Sequence, residues 1–436
     1  MMRSQFLRLS LKTYATQMAY TLLQALIAIA AARLLGPANK GVLSLLTVML
    51  VMAVTLGRCG LGSAVIYFSG RQPAWAVIFN GGLLIAAIGA ATALLSLPVI
   101  FLFRPQLLRG IPLAGLLWVA AMIPVLFAFD YFQSAFIAIL QVNRRNLLLL
   151  MHPLVQLILL AVTVGALRRG LAGALFSLSA ALVIGVAWSL VKLKREMAGR
   201  LLRADRGLMK QLLRFGMRSH LGGVMEVMNS RADFLLINFF LGPAAVGFFS
   251  VAVNLGEIIW RFPEAVVLML MPRVARMDAD QAGAFTPRIC RLVLLPVLLF
   301  CLGMLLLGRI LIHLFFGASF LPAVAPLLWL LPGFAAFAVW KILAGDLVAR
   351  GRPLIYSATA VAAFAAMVLL DLWLIPVWGI AGAAAASSAA YLFASVLIIL
   401  MYRRGTGVRL GDLLLAKKSD FRLLRESFRR DSLPDR

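Results

Sequence analysis

The chain has 436 residues, of which 63% are hydrophobic and only 13% are charged. Soluble domains contain about 45 to 50% apolar and about 25% charged residues, so this composition excludes an ordinary soluble protein. The net charge of +26 raises the question of nucleic acid, but the basic residues collect in a few loops without an aromatic-plus-basic binding platform. We therefore expect an integral membrane protein that does not bind nucleic acid.

Apolar runs of about 20 residues, enough to cross about 30 Å of hydrocarbon, recur about twelve times. The first run is a full span without the cleavage site of a signal peptide, so we expect it to remain as a helix. The predicted spans are 13–33, 41–64, 74–103, 113–140, 146–167, 170–191, 216–240, 244–270, 287–308, 322–347, 354–375 and 379–402.

The first predicted helix carries Tyr14, Gln17, Thr21 and Gln24 on one face, because their spacing follows the period of an α-helix. An uncharged stripe of hydrogen-bonding side chains suits contact with sugar hydroxyls. It equally suits a polar seam between two helices, and the sequence leaves both interpretations open.

The stretch LLGPANKGVLSL after the first helix recurs as FLGPAAVGFFSV after the seventh. Proline cannot continue a helix and glycine relaxes the backbone, so both stretches are expected to turn the chain. The predicted hinge turns are Gly36-Pro37 and Gly242-Pro243. A tight loop without any further role explains either stretch taken alone.

Both copies carry a further glycine, Gly41 and Gly247, where a missing side chain permits close helix contact. A second echo, GLAGALFSLSAA against GIAGAAAASSAA, opens the sixth and the twelfth helix. Two echoes in the same order predict duplication of a six-helix unit. Because six is even, both halves keep one orientation, related by a pseudo-twofold axis along the membrane normal. We therefore predict an all-α polytopic membrane protein of about twelve transmembrane helices in two six-helix lobes.

The predicted domains are an N-lobe with helices 1 to 6 (1–191), a basic cytoplasmic linker (192–215), a C-lobe with helices 7 to 12 (216–402) and a basic cytoplasmic tail (403–436). Most of the 42 Lys and Arg residues fall in loops on one side, which is the cytoplasmic side under the positive-inside rule. Both termini are then cytoplasmic. The linker and the tail are expected to lie on the anionic lipids of the inner leaflet.

Ionisable side chains inside the spans are candidate functional groups, because each costs at least a few kcal/mol in hydrocarbon. Helix 8 aligns Asn254, Glu257, Arg261 and Glu264 on one face, which predicts a hydrated cavity or a partner helix. The pair Glu257 and Arg261 is also spaced to satisfy itself within the helix. A carboxylate with a raised pKa is able to load and release a coupling ion. The candidates for this role are Glu226, Asp233, Glu257, Glu264 and Asp130.

No catalytic triad, phosphate-binding loop or nucleotide motif occurs in the sequence, and the short loops leave no room for a catalytic or ATPase domain. The three cysteines and three histidines are scattered, without the spacing of metal ligands. We therefore expect a protein that is not an enzyme, that needs no cofactor or metal, and that uses an ion, substrate or membrane-potential gradient.

The stretches ARLLGPANKGVLSLL and SRADFLLINFFLGPAAVGFFSVAVNL resemble the signature regions of the polysaccharide transporter family, the Wzx-type O-antigen flippases. GASFLPAVAPLLWLLPGFAAF, before the tenth helix, is also similar. This family belongs to the multidrug/oligosaccharidyl-lipid/polysaccharide exporter superfamily. The resemblance implies a bacterial inner-membrane flippase that moves an undecaprenyl-diphosphate-linked oligosaccharide to the periplasmic leaflet by alternating access, for O-antigen, capsule or exopolysaccharide synthesis.

The resemblance further implies that cationic residues in the lumen meet the diphosphate and anionic sugars, and that a polysaccharide polymerase and chain-length or export proteins are partners. We expect the protein itself to be a monomer. With the polar stripes, the substrate-binding candidates are Arg231, Arg261, Lys341, Tyr14, Gln17, Gln24 and Asn254.

Three alternatives stay open. A multidrug exporter of the same superfamily would place unpaired acids and aromatic walls around an organic cation. A major-facilitator transporter also has twelve helices in parallel halves, although RCGLGSAVIYFSGRQ lacks the acid usual between its helices 2 and 3. The third alternative is a lipid-modifying enzyme, which would depend on a single catalytic acid, or a scramblase-like protein, which would depend on none.

Overall fold

A computed structural model of the chain describes residues 2–200 and 202–414. All regular secondary structure in this part of the chain is helical, and the helical share is 91%. Most of the predicted basic tail, residues 415–436, lies outside the described residues. The prediction of an all-α polytopic membrane protein is confirmed.

The helices follow the predicted spans in chain order, with two pairs of spans each merged into one long helix. They are α1 (Met2–Gly57), α2 (Leu61–Ser69), α3 (Ala74–Leu107), α4 (Leu113–Ala138), α5 (Val142–Leu160) with a π-helical continuation (Ala161–Ala166), α6 (Gly170–Met197), α7 (Arg206–Leu241), α8 (Pro243–Val274), α9 (Ala279–Phe316), a 3-10 segment (Ala318–Ala323), α10 (Val324–Ala349), α11 (Pro353–Thr406) and α12 (Leu410–Leu414).

Helices α1 and α11 each hold two predicted spans, separated by a kink rather than a loop. The kinks lie at Gly36 and Gly379, whose backbones are non-helical. Within the described residues, nine helices are long and apolar enough to cross a membrane, and both kinked helices are among them. α7 begins at Arg206, inside the predicted linker, rather than at residue 216.

The chain groups into two compact units. Unit 1 runs to Val251 and includes Leu314–Phe320, whereas unit 2 contains Ala252–His313 and the chain from Leu321 onward. α7 packs against α1, α2 and α3, and it therefore belongs to unit 1. This grouping follows packing, whereas the predicted lobes follow the sequence repeat, and the lobe boundaries stay a prediction.

Apolar faces of α1, α5 and α6 form one core cluster of unit 1. Its buried members are Ile27, Ala31, Leu35, Leu43, Leu160, Val164 and Ala174. The bilayer provides no hydrophobic drive between helices, so their association depends on close van der Waals packing. Small residues on α1 and α6 permit this close approach.

Unit 2 is built around aromatic side chains of α8, α10 and α11. Trp260 makes ring contacts with Phe334, Phe337 and Tyr391, with centroids 4.5 to 5.7 Å apart. Phe337 in turn stacks on Trp340, with centroids 5.1 Å apart. These rings bury much area and hold the three helices together.

The two LGPA stretches pack against each other within unit 1. Gly36 has φ 70° and ψ 174°, and Gly242 has φ 81° and ψ 179°. A Cβ atom on Gly41 would overlap the carbonyl oxygen of Pro243, and one on Gly247 would overlap that of Pro37. The expectation that Gly41 and Gly247 permit close helix contact is confirmed, and each glycine meets the other copy of its own motif.

Candidate functional site

The predicted second helix is broken near its end. The sequence predicts one span over 41–64, but α1 ends at Gly57 and α2 begins at Leu61. That part of the prediction is wrong, because Cys59 and Gly60 adopt positive φ angles of 50° and 64° that no helix accommodates. The predicted span 41–64 would place this break at membrane depth, where non-helical backbone is tolerated only if protein or a water-filled cavity surrounds it.

A polar cavity of about 360 Å³ opens beside this break, entirely within unit 1. Its walls come from the α1–α2 break, α3, α4, the start of α5 and α7. The polar or charged side chains that line it are Arg58, Ser63, Asp130, Tyr131, Gln133, Ser134, Arg145 and His220. We call this cavity the unit 1 pocket.

Hydrogen bonds and close packing hold the break and α7 around the pocket. His220 Nε2 lies 3.0 Å from the carbonyl oxygen of Leu56, at the end of α1. Gly60 and Gly216 bring their backbones together so closely that a Cβ atom on either would overlap the other segment. α7 therefore forms a fixed wall of the pocket.

A second set of contacts fixes α7 against α2 and α3. The buried Asn80 donates to the carbonyl oxygen of Arg203 at 3.1 Å and accepts from the backbone N–H of Asp205 at 2.7 Å. The ring of Phe215 stacks on that of Tyr67, with centroids 4.4 Å apart. The Asp205 carboxylate caps α7 by accepting from two backbone N–H groups.

The Asp130 carboxylate in the pocket is held only loosely. Gln133 Nε2 approaches one of its oxygens at 3.5 Å, which is the outer limit of a hydrogen bond. The guanidinium of Arg58 attracts the carboxylate electrostatically. Asp130 is thus able to exchange partners when another charge enters.

The charge of the pocket is predominantly positive. Arg58 and Arg145 carry permanent charges, His220 adds an imidazole ring, and Asp130 is the acid among the lining residues. A guanidinium offers a planar fork of donors that matches two oxygens of a phosphate. The arrangement can bind an oxyanion.

Three of the predicted site residues meet in unit 2. Arg261 Nη1 lies 3.4 Å from one oxygen of Glu264, and Lys341 Nζ lies 3.8 Å from the other. Lys341 also lies over the ring of Phe337, 5.6 Å from its centroid. The side chain of Glu264 is 36% exposed and that of Arg261 is 43% exposed, so water screens this pair strongly.

Among the site residues predicted from the sequence, Asp130 lines the unit 1 pocket. The other candidates lie elsewhere. Tyr14 is exposed, and Gln24 donates to Tyr20 at 3.0 Å within the same helix. Arg231 donates to the carbonyl oxygen of Ser230 at 3.3 Å. Asp233 is buried. The remaining candidates are half-buried, and they are Gln17, Glu226, Asn254 and Glu257.

Sequence reasoning missed Arg58, Arg145 and His220. Arg145 lies between two predicted spans, and Arg58 and His220 lie near the cytoplasmic ends of predicted spans, where a basic residue also fits the positive-inside rule. The signal that distinguishes Arg58 is its place between Gly57 and Gly60 in GRCGLG, because paired glycines predict a break in a span.

The chain matches the family model described as polysaccharide biosynthesis protein over residues 9–278. The chain belongs to this polysaccharide biosynthesis family. The family resemblance predicted from the LGPA stretches is thereby confirmed. No protein with a curated description matches the chain.

Solved structures share the fold of this family member. The lipid II flippase MurJ in an inward closed conformation matches with a TM-score of 0.76 and 13% identity, over 98% of this chain and 94% of that one. An inward-facing multidrug resistance MATE family transporter of the MOP superfamily matches with a TM-score of 0.68 and 15% identity, over 89% and 94%. An outward-facing one matches with a TM-score of 0.61 and 16% identity, over 92% and 95%.

Family membership and the long apolar helices identify a multi-pass membrane protein of the polysaccharide biosynthesis family, with the fold of the MurJ and MATE structures. The structural neighbours are described as a lipid II flippase and as multidrug resistance transporters. Identities of 13 to 16% support the fold alone, so the substrate has to be argued from the residues.

Proposed function

We propose that the protein flips a polyprenyl-diphosphate-linked oligosaccharide, of the undecaprenyl type, across the bacterial inner membrane by alternating access. The product would feed synthesis of a surface polysaccharide such as O-antigen, capsule or exopolysaccharide. Membership in the polysaccharide biosynthesis family and the fold shared with a lipid II flippase support this proposal. A polymerase and chain-length or export proteins would act on the product.

The observation that carries the proposal is the convergence of Arg58 and Arg145 on one cavity. A diphosphate carries several negative charges, which cost a great deal to bring near hydrocarbon unless cations meet them. Two guanidinium groups and the donor side chains of Gln133 and Ser134 supply paired charge and hydrogen bonds. The broken helix provides the irregular backbone that transporters use at substrate sites.

The same observation disfavours the export of organic cations. An organic cation entering the pocket would meet two arginines and a single carboxylate, and it would be repelled. A multidrug exporter of this fold would need unpaired acids in the pocket to attract an organic cation. The MATE neighbours therefore inform the architecture, whereas the charge of the pocket favours an anionic substrate.

Among the ion-coupling candidates, Asp130 has the best placed carboxylate, because it lines the same pocket as the arginines. We propose that Asp130 gives up its interaction with Arg58 when the diphosphate binds, and that its carboxylate then binds a proton or a sodium ion. Glu264, between Arg261 and Lys341, is the corresponding candidate in unit 2. The substrate-binding roles of Arg231, Tyr14, Gln17, Gln24 and Asn254 remain proposals.

Deletion and complementation in the host test the function directly. Deletion should cause lipid-linked oligosaccharide to accumulate on the cytoplasmic leaflet and surface polysaccharide to disappear. Complementation with Arg58→Ala or Arg145→Ala should restore less than about a tenth of the polysaccharide, because each variant loses a charge-assisted contact. Arg58→Lys keeps the charge but not the fork, and it should restore an intermediate amount.

Arg168→Ala serves as the matched control, because this arginine is exposed and distant in sequence from the pocket. It should complement fully at equal protein level in the membrane. Surface polysaccharide that survives deletion of the gene would refute the proposed function. Full complementation by Arg58→Ala and Arg145→Ala together would refute the assignment of the diphosphate site.

A further inference from the structure

The outer side of the first turns of α7 carries a basic and apolar groove. The groove has a volume of about 490 Å³, and it is lined by Arg206, Met209, Lys210, Leu213, Arg214 and Met217. The three cations repeat every fourth residue, and so do the three apolar side chains, so two parallel rows run along the helix. The lining contains no acid. We call this surface the α7 groove.

The predicted span 216–240 places the α7 groove at the level of the lipid headgroups. The helix has 36 residues. At a rise of about 1.5 Å per residue it is about 54 Å long, whereas the hydrocarbon layer is about 30 Å thick. If residues 216–240 cross the hydrocarbon as predicted, Arg214 stands about 3 Å and Lys210 about 9 Å beyond its edge, at the level of the headgroups. The predicted topology puts this layer on the cytoplasmic side.

The groove is presented by a rigid segment rather than by a loose charged loop. The opposite side of the same turns is buried, with Leu208 at 6% and Leu212 at 0% exposure. Gln72 Nε2 donates to Gln211 Oε1 at 3.1 Å, and Asn80 holds the chain just before the helix. The packed helix fixes the backbone positions of the three cations, which lowers the entropy that is lost when a ligand binds.

We propose that the α7 groove binds the headgroup of an anionic phospholipid of the inner leaflet. The phosphate lies between Lys210 and Arg214, which are exposed and one helical turn apart. An acyl chain follows the row of Met209, Leu213 and Met217 toward the hydrocarbon. This lipid is retained rather than transported, so the proposal stands apart from the flippase function.

Charge complementarity selects this occupant. The tail of the chain, KKSDFRLLRESFRRDSLPDR, is itself basic and would be repelled by three cations. Each nearby Lys or Arg stabilises a bound anionic headgroup, and the apolar row stabilises an attached acyl chain. A free phosphate would be stabilised by the cations alone and would therefore bind more weakly than a phospholipid.

Lipid titration of the purified full-length protein tests the proposal. Native mass spectrometry with phosphatidylglycerol should show a retained lipid, whereas phosphatidylcholine at the same concentration should bind weakly. The variant K210Q/R214Q should bind phosphatidylglycerol about 30-fold more weakly, because each basic residue near the surface contributes about a fivefold factor. The control R168Q/R169Q removes the same charge from exposed residues elsewhere and should leave binding unchanged.

A second variant separates the headgroup from the acyl chain. Leu213→Asn should weaken the binding of long-chain phosphatidylglycerol but not of the dihexanoyl form, because only the long chain reaches the apolar row. Inorganic phosphate should not compete at millimolar concentration. Equal binding of phosphatidylglycerol by the wild type and K210Q/R214Q would overturn the proposal, as would equal binding of phosphatidylcholine and phosphatidylglycerol by the wild type.

Discussion

Asp346 is fully buried in unit 2, and two donors meet its carboxylate. Thr286 Oγ1 donates to one oxygen at 2.7 Å, and Arg350 Nε lies 2.7 Å from the other. Arg350 also donates to the hydroxyl of Tyr402 at 3.3 Å. These contacts tie α9, α10 and α11 together through one carboxylate, in contrast to Asp130, which is loosely held.

Replacement of Asp346 should therefore act on stability. Asp346→Ala removes the charge that balances Arg350, and breaking a largely buried pair costs about 3 kcal/mol or more in the free energy of unfolding. Denaturant titration in detergent micelles measures this cost. Thr286→Ser keeps the hydroxyl and should change stability by less than about 1 kcal/mol. Wild-type stability of Asp346→Ala would show that the network contributes nothing.

The hinge glycine Gly36 gives a second prediction at this scale. Gly36 combines φ 70° with ψ 174°, a backbone conformation that essentially only glycine adopts. Because no atom lies within 4 Å of a Cβ built there, Gly36→Ala tests the backbone alone. We expect a loss of about 1 to 3 kcal/mol in the free energy of unfolding.

Gly303→Ala provides the comparison for Gly36→Ala, because Gly303 is helical and equally open. It should be neutral or stabilising by up to about 1 kcal/mol, since alanine favours a helix interior. An equal effect of the two substitutions would exclude backbone strain as the reason for Gly36.

Residue chemistry was only partly predictable from the sequence. Asp130 stands inside an apolar run, and its charge marked it as a candidate that the unit 1 pocket includes. Arg145 lies between two predicted spans and Arg58 near the cytoplasmic end of one, and at such positions the sequence does not distinguish a cation of a loop from a cation of a pocket. Only the break at residues 58–60 and the approach of α7 turn these side chains into a site.

At the scale of elements, hydropathy predicted where helices run but not how they join. A kink and a loop both interrupt an apolar run, so the spans on either side of Gly36 were separate in the prediction and form one helix in the structure. The start of α7 in the basic segment was missed for a related reason. Charged residues lower hydropathy, although Asp205 caps a helix there and apolar residues of that helix are buried.

The contact between the two LGPA stretches predicts the effect of a small substitution. Gly247→Ala places a methyl group on the carbonyl oxygen of Pro37, and α1 and α8 have to move apart. Overpacking of this kind costs about 1 to 3 kcal/mol in the free energy of unfolding.

Thermal unfolding in micelles, with Gly283→Ala as control, measures the change for Gly247→Ala. Gly283 is helical, and no atom lies within 4 Å of its added methyl group, so its substitution should be nearly neutral. An unchanged stability of Gly247→Ala would mean that the helices adjust without cost.

At the scale of the whole molecule, the distribution of charge fixes the expected orientation. Lys and Arg residues concentrate in alternate loops, which predicts that both termini and the chain near Gly351 are cytoplasmic, and that the chain near Gly317 is periplasmic. Alkaline phosphatase fused after Gly317 should be active, and the same enzyme fused after Gly351 should be inactive. The reverse pattern would invert the predicted topology and place the α7 groove on the other leaflet.

The reciprocal glycine contact also makes two distant positions thermodynamically dependent on each other. Gly41 meets Pro243 and Gly247 meets Pro37, as in an interface between two identical subunits, where each contact has a mirror partner. Once one methyl group has separated the helices, a second finds space already open. In a double-mutant cycle, Gly41→Ala and Gly247→Ala together should therefore cost clearly less than the sum of the single costs, with a coupling energy of about 1 kcal/mol.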